Sequence, residues 1–126
     1  MEREVIKTST APGVVLPLSQ AIKLGNLIFT SGAIARDPET RELIGGDIEK
    51  QTEQIILNLQ EVLEAAGSSL DKVVKVTVFL TDIRDFEGMN EVYRKFFPKD
   101  PPARSTVEVS KLAVDARVEI EMIAGV

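Results

Sequence analysis

In the stretch FFPKDPPARSTVEV, residues 96–109, Arg104 follows Pro101, Pro102 and Ala103 and opens a run that alternates like a strand. A guanidinium stays charged at every relevant pH, and its planar fork matches a carboxylate through two parallel hydrogen bonds. Arg104 could therefore anchor a small acid in a pocket, or it could be a solvated arginine or the partner of one of the twenty acidic residues. Pattern alone leaves both open. Glu119 lies mid-strand on a face shared with Glu121, where a carboxylate could hold or deprotonate a water if burial or a neighbouring charge raised its pKa. Spacing by itself favours the solvated face of an antiparallel edge strand. Ser31, with Thr30 before it and Gly32 after it, offers a hydroxyl and backbone amides where a ligand can approach the chain closely; a strand-end turn is the plainer reading. Asn90 falls on an apolar helical stripe, so its amide either hydrogen-bonds a neighbouring loop or lines a site.

What is missing narrows the chemistry further. The chain has no cysteine and no histidine. Disulfides, thiolate metal sites, a cysteine nucleophile and the commonest general base are excluded together. Asp37, Asp47 and Glu49 are too dispersed along a loop to form a ligand pattern, and helix or turn capping is the expected role. No metal is expected.

The elements that must carry these residues follow from periodicity. With 126 residues, 44% hydrophobic and 28% charged, the chain is expected to form one globular domain over residues 1–126. REVIKT reads as an edge strand, and SQAIKLGNLIFTSG as a hairpin turning at Gly25 and Asn26. Residues 34–47 are a polar loop ending at Asp47, an N-cap. Ile48, Ile55, Ile56, Leu59, Val62 and Leu63 make one helical stripe with Glu and Gln opposite, and Gly67 supplies a left-handed stop. KVVKVTVFL reads as a strand with Val74, Val76, Val78 and Leu80 on one face. Asp82 or Asp85 can cap a second helix carrying Phe86, Met89, Tyr93, Phe96 and Phe97, with Tyr93 taken as core, until Pro98 ends it. Strands over RSTVEV and RVEIEMIAGV close the chain, separated by a polar bend at KLAVDA. Two helices can cover one face of such a sheet. The other, carrying Val73, Phe79 and Ile123, is left for a partner subunit.

The formal charge of -5 argues against a surface that neutralises many phosphates, so no nucleic acid is expected. The N-terminal residues lack the apolar core of a signal peptide, and no run approaches the roughly 18 apolar residues of a span. A cytoplasmic protein with no membrane partner is expected.

FTSG, DFEGMNEVYRKFF, PPARSTVEV and VEIEMIA, in this order and spacing, closely resemble the YjgF/RidA family of reactive intermediate deaminases. The resemblance spans nearly the whole chain. It implies an α+β chorismate mutase-like fold, a mostly antiparallel sheet backed by two helices, and a homotrimer whose sheets pack into a central barrel. It also implies cofactor-free hydrolysis of 2-enamines and 2-imines, such as 2-aminoacrylate, to 2-oxo acids and ammonia. Carried over, Arg104 looks like the family's carboxylate-binding arginine, Glu119 like the acid that orients the attacking water, and Ser31, Gly32 and Asn90 like pocket residues. Two departures stand out. Leu18, in LPLSQA, replaces the family's usual tyrosine, and Ala33 stands where glutamine often follows the Ser-Gly pair. An apolar Leu18 removes a hydrogen bond and favours larger imines or ligand binding without turnover. Family members have also been described as endoribonucleases or translation inhibitors; one tyrosine and a net negative charge give little basis for an RNA-stacking surface here.

Overall fold

The computed structural model describes all 126 residues. Strands β1 (Arg3–Ile6), β2 (Ala21–Leu24) and β3 (Leu27–Thr30) come first, followed by helix α1 (Ile48–Ala65). Strand β4 (Val73–Leu80), helix α2 (Phe86–Phe96), β5 (Ala103–Glu108) and β6 (Val118–Gly125) complete the order. The sheet runs β1-β2-β3-β6-β4-β5, antiparallel throughout except for the β4–β5 pair. That pair is parallel because α2 connects its strands, a crossover no tight turn can make. The α+β class and the six strands agree with expectation.

Local chemistry sets the boundaries. Gly25 turns the β2–β3 hairpin at φ +59, and Gly67 leaves α1 at φ +85, conformations that cost other residues strain. Asp47 caps α1, its carboxylate accepting from the Lys50 amide at 2.9 Å. The cap of α2 differs from expectation. Asp82 instead caps a short 3-10 turn over residues 83–85, while the Asp85 carboxylate turns away to Arg117, 2.9 Å off.

One side of the sheet packs on the helices through Ile28, Val76, Val78, Val118, Ile120 and Met122, all at most 1% exposed. Two expectations about faces fail. A β-bulge between Val73 and Lys75 adds a residue to β4, so Val73 turns into the core and Val74 outward, 52% exposed. On α1, Gln51 is buried because its amide oxygen accepts from the Arg117 amide at 3.1 Å; a partner was available, so burial of a polar group costs little. The opposite sheet face carries Phe29, Phe79, Val107 and Ile123 among Lys75, Thr77 and Glu121, with no helix over it. No helix is long and apolar enough to cross a membrane.

Candidate functional site

Two separate places on the chain hold the residues singled out from the sequence. The first is a cavity of about 500 Å³ whose lining includes Leu18, Ser31, Gly32 and Glu119. Residues 8–20 form one wall, and Gln20 fixes them: its side-chain oxygen accepts from the Thr8 amide at 2.7 Å and its nitrogen donates to the Pro12 carbonyl at 2.9 Å. The Ser31 hydroxyl donates to the Ser19 carbonyl at 2.6 Å, so it ties β3 to this wall. Ala33 then pairs with Ile120 in both directions, 2.8 and 3.0 Å, carrying the chain past β6.

Glu119 is not on an edge strand. β6 lies between β3 and β4, and the Glu119 side chain, half-buried, points to the helix-free face beside Gly32. Burial, with Glu121 adding a like charge, pushes its pKa above the usual 4.5, the direction a group needs to exchange protons with a substrate. Gly32 is what permits the approach, since a Cβ there would run into the Glu119 carboxylate. Gly32→Ala is accordingly expected to displace the Glu119 carboxylate, and a reaction that depends on its placement should slow by on the order of 10²-fold. A circular-dichroism melt should show the fold retained, because Gly32 does not adopt a positive φ.

The second place is the outer strand β5. Arg104 pairs with Val76 and therefore faces the helices, the side opposite Glu119. Its guanidinium stacks over Tyr93 at 4.6 Å and lies 5.7 Å from the Phe86 ring, with a terminal nitrogen 3.9 Å from the Met89 sulfur. It makes no ion pair: those of the fold are Arg84–Asp82 and Arg117–Asp85. A half-buried guanidinium over aromatic rings, with no ion pair of its own, has the charge and shape to take an anion. The Tyr93 and Thr106 hydroxyls nearby on α2 and β5 are buried without a partner, and burial raises the Tyr93 pKa despite the Arg104 charge. Asn90, half-buried on α2, lies outside the cavity lining.

The sequence signalled some of this and not the rest. Tyr93 belongs to the core as expected, 5% exposed, and the α2 spacing Phe86, Met89, Tyr93 also makes the platform under Arg104, while Thr106 shares Arg104's face by the period of two. One chain does not unite the two places. Glu119 aligns with Phe79 and Val107, two strands and three residues from Arg104, a Cα separation of roughly 14 Å from ~4.8 Å strand spacing and ~3.3 Å rise.

The endoribonuclease L-PSP family model matches residues 8–126, nearly the whole chain. The chain belongs to the YjgF/RidA (endoribonuclease L-PSP) family. A RutC family protein of Pyrococcus abyssi is 53% identical over 124 residues, covering 98% of both chains. Reactive Intermediate Deaminase A of Arabidopsis thaliana, chloroplastic, is 45% identical over 124 residues, 98% of this chain and 66% of that one. The crystal structure of E. coli TdcF with bound serine superposes with a TM-score of 0.92 at 40% identity, covering 98% of each chain. The YjgF/RidA sheet with two helices on one side is thus the fold of this chain, and small-molecule binding occurs in the family.

Proposed function

We propose that this YjgF/RidA member hydrolyses reactive 2-enamine and 2-imine intermediates, such as 2-aminoacrylate, to 2-oxo acids and ammonia, as a 2-iminobutanoate/2-iminopropanoate deaminase-type hydrolase. The observation that carries the reading is the pair of complementary half-sites: an unpaired, ring-stacked Arg104 and a Glu119 carboxylate with raised pKa beside Ser31 and Gly32. In the reaction, Arg104 takes the substrate carboxylate by its fork. An enamine first takes a proton at its terminal carbon and becomes the protonated imine. Water then adds to the C=NH2+ carbon while Glu119 accepts one of its protons, giving a neutral carbinolamine; Glu119 returns that proton to the nitrogen, ammonia leaves, and the hydroxyl proton is released to solvent as the C=O of the 2-oxo acid forms. Imines already react with water, so positioning plus a general acid–base contribution of typically ~10²–10⁴-fold suffices.

Because the half-sites lie on opposite faces of one sheet, the working site is proposed to form between chains of a homotrimer, Arg104 from one subunit meeting Glu119 of the next. The helix-free face, with Phe29 39% and Val107 44% exposed, supports burial against another copy. Incubating the protein with a serine or threonine dehydratase and following 2-oxo acid release tests the activity. Faster release with the protein is expected, and equal rates with and without it would overturn the reading. A second reading, a ligand-binding trimer without turnover, is favoured by Leu18, an apolar side chain 48% exposed on the cavity wall. Calorimetric binding of a 2-oxo acid that needs Arg104, without release of ammonia from imines, would select it.

A further inference from the structure

We propose that the cavity holds a second anion site, built by Arg36 and Arg41, which takes an amphipathic acid: a carboxylate on an apolar body. Both arginines line the cavity, and neither has a carboxylate partner in a chain that carries twenty acidic residues. Arg36 is half-buried and spends one N–H on the Arg41 carbonyl, 2.8 Å away, which leaves the rest of its fork free. Its backbone is held from below. Asn58 of α1, 5% exposed, donates to the Arg36 carbonyl at 2.8 Å and is itself held by Gln54 at 2.9 Å. Such support fixes a receptor in place before its ligand arrives.

Arg41 is placed by a turn rather than by packing. It adopts φ 65, a left-handed conformation disfavoured for a side chain of its size, and the turn persists because the Asp37 carboxylate accepts from the Glu39 and Thr40 amides while the Asp37 carbonyl accepts from Arg41. The result sets the Arg41 side chain beside Gly13, another lining residue of the cavity. Much of the remaining lining is apolar, with Val14, Leu16, Leu18, Leu59 and Val62, and Leu16 remains 63% exposed. A cavity of this volume and polarity suits a small organic ligand. The arginines offer the charge for the carboxylate and the apolar lining takes the body of the ligand.

Arg104 of the same chain lies outside this lining, but the proposed function brings a neighbouring subunit's Arg104 to Glu119 at the same cavity, so the test is run in the Arg104→Ala background, where that anchor is gone. Titration calorimetry of Arg104→Ala with 3-phenylpropionate is expected to show binding, at least about tenfold weaker for 3-phenylpropan-1-ol and for acetate, which lack the charge and the apolar body respectively. Adding Arg36→Gln and Arg41→Gln to that background should weaken 3-phenylpropionate by about tenfold or more. Adding Arg41→Glu instead, at a side chain that makes no hydrogen bond in the fold, should also weaken binding without unfolding the chain. No binding by Arg104→Ala, equal binding of the alcohol, or equal binding by the triple variant would each overturn the proposal.

Discussion

Arg104→Ala is expected to lower kcat/KM for small 2-imino acids by about 10²–10³-fold, since two charge-assisted hydrogen bonds of roughly 1.5–3 kcal/mol each are lost, partly offset by water. The carboxylate is held alike in the ground and transition states, so most of the effect should appear in KM rather than kcat. Arg104→Lys should recover only part, because an ammonium cannot form the parallel fork and stacks less well on Tyr93. Stability should fall little, by about 0.5–1 kcal/mol for a lost cation–π contact, because Arg104 has no ion pair to break. Steady-state kinetics with imines generated in situ, alongside urea melts, separate the two effects. Wild-type KM in Arg104→Ala would remove the arginine from the site.

Glu119→Gln should cost about 10²–10⁴-fold in kcat, the usual size of a general acid–base contribution. Its pH dependence is the sharper test. The group must be ionised to take a proton from water, so the acid limb of the wild-type rate should have its midpoint above 4.5, displaced upward by burial and by Glu121. In Glu119→Gln that limb should vanish. The same shift has the opposite sign for stability: the folded chain holds this proton more tightly than the unfolded one, so ionising Glu119 costs folding free energy as pH rises through the raised value. Glu119→Gln should therefore be at least as stable as the wild type at pH 7 and lose that advantage below the unfolded carboxylate range. An inactive yet no less stable variant is what a group placed for chemistry should give.

The element order was legible because strand and helix periods are strong in this chain. Val118, Ile120 and Met122 alternate and are buried, and the α1 stripe from Ile48 to Leu63 faces the sheet as expected. Val74 was misplaced because a bulge changes the period by one residue, and no propensity marks it. Glu119 was read as an edge residue because strand order is set by non-local pairing; β6, last in sequence, lies at the sheet's centre. Arg104 was singled out by its setting after the prolines, but its stacking on α2 depends on the parallel β4–β5 crossover and could not be read from spacing. Nothing in the spacing of the polar loop over residues 34–47 marks Arg36 or Arg41, since only the folded loop shows that neither meets an acid. Roles for Ser31, Gly32 and Asn90 came from family resemblance, and the fold adds the packing of Gly32 on Glu119.

The proposed reaction depends on Arg104 and Glu119 acting across a boundary between chains. Mixing Arg104→Ala with Glu119→Gln, each nearly inactive alone, through a denaturation and refolding cycle tests it most directly. Random assembly of a cyclic trimer should give about one quarter of the sites an intact pair, and activity should recover to about that fraction of the wild type. Activity in the mixture no higher than the sum of the two variants, in particles shown to have exchanged subunits, would contradict the shared site.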